Sequence, residues 1–391
     1  MKYQIKLWFG VTGALGTILT IIFSSSFTTQ AQTISHWHVE TVNAIDRCPN
    51  IDVSLASNDQ GQVHISYNDA DKSALKHSQR SQSGWITEVV QQSPGAGMHS
   101  SIALDSLGYP HISYRDGANN DLKYAQWDGV KWNISTIGNK DSGWYTSLVL
   151  DDNDQAHISY LGHDETAGGQ SPKYAYWSGN AWELSVIDPI FAGSGTSLAL
   201  DSKGNPHVSY YVFRELRYAV YEKSQWITQT VDLPVANDRS AGFYSSIAVD
   251  DADAPHISYG LYSVYPMVLG LAPNDLKYAK LHENSWTLET VDSMGRVGTY
   301  SSLAVDTQNH SHIIYFDRDT QSVKYAYWDG NIWSLSTIDS PVRMEGYTSI
   351  EIDRNGQPHT AYCDELTGII KYARLITVEV NNQIYLPLTL K

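Results

Sequence analysis

The chain has 391 residues and a formal net charge of −16, and 12% of its residues are aromatic, with 12 Trp and 26 Tyr. An acidic balance of this size excludes the basic surface that nucleic acids and anionic membranes require, so neither is an expected partner. The length allows a large core, and the many Trp and Tyr residues favour β structure.

Residues 1–31 are predicted to be an export signal. Lys2 and Lys6 precede an apolar run at 7–23, and a short polar stretch leads to a cleavage position after Ala31. The alternative is an uncleaved membrane anchor, because the run is long for a signal core. Cleavage would leave 24 basic and 42 acidic residues, a net charge of −18. We therefore expect a secreted or cell-surface protein that is monomeric and not bound to a membrane after cleavage.

One sequence motif, His-(Ile/Val/Thr)-x-Tyr, occurs seven times. Its histidines, 46 to 56 residues apart, are His64, His111, His157, His207, His256, His312 and His359. Asp or Asn stands six residues before each of them, and a Lys-Tyr-Ala triplet or a variant of it follows, then a Trp in the first six copies. Such a period indicates a repeat architecture, in which neighbouring copies complete one another's core.

The copy at 300–339 shows what one unit contains. It divides into four short segments rich in Val, Ile, Tyr, Trp and Thr, joined by turns that contain Asp, Asn and Gly. Four strands in a repeat of roughly 40–50 residues are typical of a β-propeller blade.

The seventh copy ends without a Trp, and the missing piece is found near the N-terminus. Residues 37–42, beginning with Trp37, match the outer strand at 286–291, and the 27 residues from Trp37 to His64 fit the gaps of 25 to 30 in the other copies. We predict an all-β fold, a seven-bladed β-propeller of four-stranded blades at 32–375, in which this N-terminal strand completes blade 7 and closes the ring. An open stack of sheets is the alternative.

The two cysteines favour a closed ring. Cys48 follows the N-terminal strand and Cys363 follows the second strand of blade 7, so both lie at the predicted join of blades 7 and 1. An exported protein keeps its disulfides, and a bond between these two is predicted against the alternative of two free thiols. The tail at 376–391 is predicted to be either an extra edge strand on blade 7 or a separate C-terminal tail.

Residues that recur in every blade are more typical of structure than of catalysis. We predict that the seven motif histidines are partly buried structural groups, because metal ligands must converge and these are spread around a ring. The outer-strand Trp residues are predicted to pack between blades. The acidic segments at 151–154 and 250–253 are interpreted as turns, with calcium binding as the alternative, so no cofactor is expected.

Four blades keep an Asp with a Lys seven residues later, such as Asp69 and Lys76. We predict that these are exposed ion pairs that contribute little to stability. Blades 3, 4 and 5 lack this pair and carry irregular loops instead. Functional residues are often found where one copy of a repeat departs from the pattern that the other copies share. The candidate catalytic residues in and beside these loops are His163, Asp164, Glu165, Tyr211, Arg214, Asp238 and Arg239.

A second set of candidates is aromatic and is predicted to bind ligand. Four tyrosines directly precede the first strand of a blade, which is expected to place them near the mouth of the central channel, and two more belong to the long blade 5 loop. They are Tyr145, Tyr244, Tyr300 and Tyr347, with Tyr262 and Tyr265 in the loop. Aromatic faces stack on sugar rings while charged groups bond to hydroxyls, so this rim suits a glycan. The alternative is a solvated rim in which Tyr only supplies β propensity.

The unit at 197–210, SLALDSKGNPHVSY, followed by an Arg-Tyr-Ala triplet and a Trp, resembles repeats of exported bacterial β-propellers. These are grouped with fucose-specific lectins and sialidase-like propellers. The resemblance extends over residues 37–375 and implies the propeller fold. The turn reads Asp-x-x-Gly-x-Pro-His where a sialidase would have Ser-x-Asp-x-Gly-x-Thr-Trp, and no set of three arginines with a Tyr/Glu pair is found. The resemblance therefore implies no catalytic residues.

Three functions follow, in order of preference. The first is a secreted binding module with lectin-like recognition of glycans on the rim of blades 3–5. The second is a polysaccharide lyase or glycoside hydrolase. Asp164 or Glu165 would act with Asp238 in a hydrolase, and His163 and Tyr211 with the neighbouring arginines in a lyase. The third is a scaffold that contacts a surface protein through the apolar blade 5 loop.

Overall fold

A computed structural model describes most of the chain, and the described residues are 32–45, 48, 52–58, 60–235, 238–263 and 274–380. The signal predicted at 1–31, most of the blade 5 loop with Tyr265, and residues 381–391 lie outside them, so the predictions for these segments stay predictions. Among the described residues, no helix is long and apolar enough to cross a membrane.

All regular secondary structure in the described part of the chain is β-strand. In chain order the strands are β1 (Gln32–Ala44), β2 (Val53–Ser57), β3 (Val63–Asp69), β4 (Ala74–Ser81), β5 (Gly84–Gln92), β6 (Ala96–Leu104), β7 (Pro110–Asp116), β8 (Asp121–Trp127), β9 (Trp132–Gly138), β10 (Ser142–Leu150), β11 (Ala156–Asp164), β12 (Gly169–Trp177), β13 (Trp182–Val186), β14 (Ser194–Leu200), β15 (Pro206–Val212), β16 (Glu215–Glu222), β17 (Gln225–Asp232), β18 (Arg239–Val249), β19 (Pro255–Ser263), β20 (Asn274–His282), β21 (Ser285–Asp292), β22 (Thr299–Val305), β23 (Ser311–Asp317), β24 (Ser322–Trp328), β25 (Trp333–Asp339), β26 (Ser349–Ile352), β27 (Pro358–Asp364) and β28 (Ile369–Val380).

The strands form seven four-stranded sheets. Blades 1 to 6 each use four consecutive strands, from β2–β5 in blade 1 to β22–β25 in blade 6, and the seventh sheet has the order β1-β28-β27-β26. These sheets confirm the predicted all-β, seven-bladed β-propeller. In blade 7 the N-terminal strand is outermost, and β28 runs unbroken to Val380, so residues 376–380 continue the third strand of that blade.

Residues His36–Ile376 form one compact unit. The described parts of a second unit are residues 32–35 and 377–380, the outer ends of β1 and β28, where the hydroxyl oxygens of Ser35 and Thr377 are 2.9 Å apart.

The seven outer-strand Trp residues pack between blades, as predicted. Each meets an aromatic ring in the third strand of the preceding blade edge to face, with ring centroids 5.1 to 5.4 Å apart. The pairs are Trp37–Tyr325, Trp85–Tyr372, Trp132–His77, Trp182–Tyr124, Trp226–Tyr174, Trp286–Tyr218 and Trp333–Tyr278. Such pairs contribute about 0.5–1.5 kcal/mol each beyond their buried area. Trp37 of β1 thus has in blade 7 the role that the other six have in theirs.

Six of the motif histidines are buried, His359 is partly buried, and all seven are bonded within their blades, which confirms their structural role. In blade 5, His256 Nδ1 lies 2.6 Å from the Tyr278 hydroxyl, and Nε2 lies 3.0 Å from the Asp250 carboxylate. The other blades from 2 to 7 repeat this Asp–His–Tyr group with histidine-to-carboxylate distances of 3.3 to 3.7 Å. Burial lowers the pKa of His256 to about 4, so its ring is neutral at neutral pH.

Blade 1 departs from this group, because Asn58 replaces the Asp and His77 replaces the Tyr. His64 Nδ1 is 2.8 Å from His77 Nε2, and His77 Nδ1 is 3.0 Å from Glu88 Oε1. His64 Nε2 is buried and has no hydrogen-bond partner among the described residues. Burial, with His77 beside it, lowers the pKa of His64 to about 3.

In the Asp–Lys pairs the Asp is buried and the Lys is mostly buried, so the prediction of an exposed pair is wrong. Lys371 Nζ lies 2.9 Å from Asp364, and the two side chains are only 16% and 1% exposed. The lysine also reaches the preceding blade, 2.8 Å from Asp339, and the motif residue Tyr362 donates to the same Asp339 carboxylate at 2.8 Å. The pair therefore helps to join neighbouring blades, which the hairpin spacing alone does not reveal.

The acidic segments form turns, as predicted. Asp151 accepts hydrogen bonds from the backbone N–H groups of Asn153 and Gln155, and Asp154 accepts one at 2.6 Å from the Ser106 hydroxyl of blade 2. Within the described ranges, no three His, Cys, Asp or Glu side chains are arranged to hold a metal ion.

Cys48 and Cys363 form a disulfide with a Cα–Cα distance of 6.1 Å, which confirms the predicted pairing. The inner strands of the first and last blades also meet, since Ser349 Oγ donates to the Leu55 carbonyl at 3.4 Å. That the N-terminal strand is what holds this ring closed stays a prediction.

Candidate functional site

Seven equivalent positions surround the mouth of the central channel. Each position is followed by two residues of the innermost strand of its blade. The first of these is Ser, Thr or Val, and the second is always Ser. In blade order they are Asp52, His99, Tyr145, Gly195, Tyr244, Tyr300 and Tyr347. We call this set the mouth ring, and all of its members line one or both of two cavities at the mouth.

The backbone of the mouth ring is strained. His99, Tyr145, Tyr244 and Tyr300 have φ values of 53°, 52°, 52° and 55°, a left-handed conformation that bulky side chains rarely adopt. The pairing of the first and second strands shifts register around the same positions, and such bulges re-aim side chains. Strain of this kind costs about 1–3 kcal/mol per residue and is concentrated at functional sites.

Hydroxyl groups of the next blade hold this strained backbone in place. Thr146 Oγ1 donates to the carbonyl of His99 at 2.6 Å, and Thr348 Oγ1 donates to the carbonyl of Tyr300 at 2.9 Å. The same contact supports the ring tyrosines of blades 3 and 5. In blades 3, 4, 6 and 7 the hydroxyl residue that follows the ring member therefore has a structural role, since it satisfies a carbonyl of the preceding blade that the bulge leaves unpaired.

The serine two residues after each ring member joins the inner strand of its blade to the inner strand of the next blade. Ser101 Oγ accepts the backbone N–H of Leu148 at 3.0 Å, and the serines of blades 1, 3, 4, 5 and 6 repeat this bond. Serine and threonine hydroxyls thus line a small cavity of about 130 Å³ in the channel.

The four tyrosines predicted at the channel mouth come together. The ring of Tyr244 lies 4.5 Å from that of Tyr300 and 5.3 Å from that of Tyr347, and Tyr347 lies 6.0 Å from Tyr145. Burial raises the pKa of all four phenols, so their hydroxyls stay protonated at neutral pH and can donate hydrogen bonds. The hydroxyl of Tyr347 is buried and has no partner among the described residues.

The larger cavity at the mouth has a volume of about 480 Å³, which is in the usual range for small-ligand sites. Its lining comes from all seven blades and is formed by Asp52, Met98, His99, Trp144, Tyr145, Ser194, Phe243, Tyr244, Tyr300, Glu345, Gly346 and Tyr347. The wall therefore combines several aromatic rings with two carboxylates, an imidazole and phenolic hydroxyls.

Asp52 and His99 form the most polar part of this wall. Asp52 Oδ2 is 2.7 Å from His99 Nδ1, and the side chains are 12% and 13% exposed. The imidazole packs on Tyr145, with ring centroids 4.5 Å apart, and its Nε2 is buried without a partner among the described residues. An imidazole fixed by a carboxylate through one nitrogen, with the other nitrogen unbonded, is the arrangement of a general base.

Three of the candidate catalytic residues support loops behind the cavity. Tyr211 stacks on Phe243 with ring centroids 4.4 Å apart. Arg239 forms an ion pair with Asp275 at 2.8 Å, and Arg214 Nε donates to the backbone carbonyl of Arg239 at 3.0 Å. Tyr211 therefore backs the aromatic wall, while the arginines hold the blade 4 and blade 5 loops.

Of the remaining four candidates, His163 and Asp164 end strand β11, while Glu165 and Asp238 lie in turns. Asp164 accepts hydrogen bonds from the hydroxyls of Thr166 and Ser171, and these bonds hold its pKa near 2. His163, Glu165 and Asp238 are exposed. None of the seven candidate catalytic residues lines either cavity at the mouth, so the structure does not gather them around the channel.

The other two predicted ligand-binding residues are Tyr262, which the structure places in β19, and Tyr265. Tyr262 packs behind the cavity wall, with its ring 4.9 Å from Phe243 and 6.1 Å from Tyr244. Tyr265 lies outside the described residues. Sequence reasoning missed Asp52, although aligning the seven inner strands at their shared serine would have placed it in the mouth ring beside His99.

The chain is similar in structure to two polysaccharide lyases and to a lectin with a bound saccharide. An ulvan lyase from a new family of polysaccharide lyases has a TM-score of 0.57 at 14% identity and covers 86% of this chain and 93% of its own. The polysaccharide lyase Uly1 has a TM-score of 0.56 at 8% identity and covers 85% of this chain and 91% of its own.

A mutant of the Aleuria aurantia lectin in complex with Fucα1-6GlcNAc has a TM-score of 0.50 at 13% identity, covering 75% of this chain and 97% of its own. At identities this low, these resemblances show the fold alone. In sequence, no protein-family model and no curated protein matches the chain.

Proposed function

We propose that this protein binds a carbohydrate in the larger cavity at the channel mouth. The observation that carries the proposal is the composition of that cavity, where Trp144, Phe243, Tyr244 and Tyr300 share about 480 Å³ with polar groups such as Asp52. Sugars present apolar C–H faces and a rim of hydroxyls, so a site that combines aromatic faces with carboxylates and phenols matches both features.

The site differs from the rim of blades 3–5 that the sequence favours. Every blade contributes to the cavity lining, and the ring tyrosines of blades 6 and 7 are as much part of it as Tyr145 and Tyr244. The similarity in fold to a lectin with bound saccharide and to two polysaccharide lyases supports a carbohydrate ligand without deciding between binding and catalysis.

A glycan array followed by titration calorimetry tests this proposal. We expect saturable binding of at least one saccharide by the wild-type protein. Trp144→Ala should weaken it at least 10-fold, because truncating a Trp that anchors a binding site commonly costs about 2 kcal/mol or more. The matched control is Phe213→Ala, since Phe213 is 78% exposed in a blade 4 hairpin and does not line the cavity. An array without hits, or equal loss in both variants, would contradict the proposal.

A polysaccharide lyase is the second candidate, and the Asp52–His99 pair favours it. In an elimination, a base removes the proton next to the sugar carboxylate and an acid protonates the leaving oxygen. His99, oriented by Asp52, has the geometry of the base, and Tyr145 is the neighbouring phenol that could supply the acid.

Product release from a uronate-containing polysaccharide, followed by ultraviolet absorbance of the unsaturated product, tests this second candidate. We expect His99→Gln to abolish product formation while substrate binding stays within about 3-fold of the wild type. Undiminished activity in His99→Gln would exclude the role given to this histidine, and absence of product with the wild type would leave simple binding as the function.

A further inference from the structure

Arg318 differs from the other arginines around the channel in its charge partners. Most arginines in the described residues lie within 4.0 Å of a carboxylate, and these are Arg80, Arg115, Arg217, Arg239, Arg296, Arg343 and Arg374. In the described part of the chain, no carboxylate lies within that distance of Arg318. In a chain with 42 acidic residues, an arginine without a carboxylate partner beside a cavity is unusual and calls for a reason.

The carboxylates near Arg318 are already engaged. Asp319, its neighbour in sequence, pairs with Arg296 at 2.6 Å, and Asp317 accepts the backbone N–H groups of Asp319 and Thr320 within its own turn. Residues 264–273 of blade 5, which lie outside the described residues, contain no Asp or Glu in their sequence.

The guanidinium of Arg318 lies beside Tyr300, which lines the larger cavity at the channel mouth. Its Nη2 is 3.5 Å from the hydroxyl oxygen of Tyr300, and its Cζ is 5.9 Å from the centre of the Tyr300 ring. Tyr300 lines the cavity, while the Arg318 side chain is exposed and accessible to a ligand. The charge of Arg318 is therefore next to the site and is not neutralised by a carboxylate of the described residues.

The two carboxylates of the cavity have partners of their own. Asp52 is bonded to His99 at 2.7 Å, and Glu345 is bonded to Arg343 at 2.8 Å. A ligand oxyanion beside Arg318 would therefore meet a guanidinium and the protonated phenol of Tyr300, both hydrogen-bond donors. Guanidinium groups recognise carboxylates and sulfates through paired N–H donors.

We propose that Arg318 binds a negatively charged substituent of the saccharide, a carboxylate or a sulfate ester, so that the ligand class of this site is an acidic glycan. This inference rests on the proposed carbohydrate function. It adds a charge preference that the aromatic wall alone does not supply, because stacking on Trp144 or Tyr244 does not distinguish a uronic acid from its neutral counterpart.

Paired ligands that differ only in charge test the inference. One pair is an oligogalacturonate and its carboxyl-reduced form, and the other is a sulfated galactan oligosaccharide and its desulfated form. The wild type should bind one or both charged members about 10-fold to 100-fold more tightly than the neutral counterpart, as expected for a hydrogen bond to a charged group. The pair that shows this preference identifies the anion as carboxylate or sulfate.

Arg318→Gln should remove this preference while keeping the affinity for the neutral form, and Arg318→Lys should retain part of it. Arg354→Gln is the matched control, because Arg354 is also exposed, forms no ion pair among the described residues and lies in the turn between β26 and β27, away from the cavity lining. Equal binding of charged and neutral forms by the wild type, or a preference unchanged in Arg318→Gln, would overturn the inference and leave the carbohydrate proposal standing. If no saccharide of either kind binds the wild type, both fall together.

Discussion

The hydroxyl oxygen of Tyr347 in blade 7 lies 3.5 Å from the position that a Cβ atom would take on Gly195 in blade 4. Blades 4 and 7 are three blades apart, so the Tyr347 side chain extends across the mouth of the channel. Gly195 is the one member of the mouth ring without a side chain, at φ 63°. The missing side chain leaves the space into which Tyr347 extends.

This relationship predicts different effects for two substitutions of Gly195. Gly195→Tyr would place a second phenol where Tyr347 lies, and we expect it to fill the mouth and reduce saccharide affinity at least 10-fold. Gly195→Ala adds only a methyl group at an ordinary contact distance, so binding should stay within about 2-fold, with a loss of about 1–2 kcal/mol in stability from the left-handed backbone. Titration and thermal unfolding of both variants measure this, and wild-type affinity in Gly195→Tyr would show that the mouth is not the site.

The disulfide between Cys48 and Cys363 is predicted to stabilise the join of blades 7 and 1. It links residues 315 apart in sequence, which restricts the unfolded chain strongly. Replacing both cysteines by serine should lower the free energy of unfolding by about 2–5 kcal/mol, as denaturant unfolding would reveal. The same unfolding midpoint with and without the disulfide would mean that β1 and the inter-blade contacts hold the join without it.

Stability should fall as the pH is lowered from about 6.5 towards 4. Burial lowers the pKa of His256 to about 4, and it also lowers the pKa values of His111, His157, His207, His312 and His359. Above the unfolded value of about 6.5 these rings are neutral in both states, and their contribution is complete. Between that value and the lowered folded pKa only the unfolded chain binds protons, so stability is lost. Denaturant unfolding at pH 7.5 and pH 5 measures this, and equal stability at the two pH values would contradict it.

Glu351 should have the opposite effect on the pH dependence of stability, because its contribution becomes less favourable as the pH rises. It stands two residues after the inner-strand serine of blade 7, where the other blades have Ala or Val. Burial raises its pKa to about 7, so ionisation is unfavourable in the folded state, and its cost grows as the pH rises from the unfolded value of 4.5 through 7. Glu351→Gln should therefore raise stability at pH 8, by at most about 3 kcal/mol, and change it little at pH 4. A gain of equal size at both pH values would point to packing instead of charge.

Blade 1 should gain stability when the Asp–His–Tyr group of the other blades is restored. In the double variant Asn58→Asp and His77→Tyr, His64 would regain an acceptor for Nε2 and a phenol at Nδ1 (compare His256 in blade 5). Each restored hydrogen bond contributes about 0.5–1.5 kcal/mol, so the unfolding temperature should rise. A lower unfolding temperature would indicate that the His77–Glu88 pair stabilises blade 1 more than the Asp–His–Tyr group does.

The repeat made most of the fold predictable from sequence. The spacing of the motif histidines gave the number of blades, and the match of residues 37–42 to other outer strands predicted the strand that the sheet order places outermost in blade 7. Local patterns suffice here because each blade contacts mainly its neighbours, so that one copy explains the rest. The disulfide followed from the same ring geometry.

The candidate site was only partly predictable. The four tyrosines were found because they share one place in the repeat, but Asp52 and Gly195 occupy that place with different residue types and were overlooked. Arg318 was also missed, because blade 6 is the most regular copy and its hairpin resembles a purely structural one. Long-range relationships such as Tyr347 extending towards Gly195 depend on side chains that cross the channel, which strand patterns do not encode.

The site proposed for the saccharide can be observed in a crystal structure of the protein with the oligosaccharide that binds best on a glycan array. We expect electron density for a sugar ring in the channel-mouth cavity, stacked on Trp144, Tyr244 or Tyr300, with an anionic substituent beside Arg318. A saccharide bound instead in a cleft between blades, such as the one lined by Tyr124 and Trp182, or on the blade 3–5 hairpins, would contradict it.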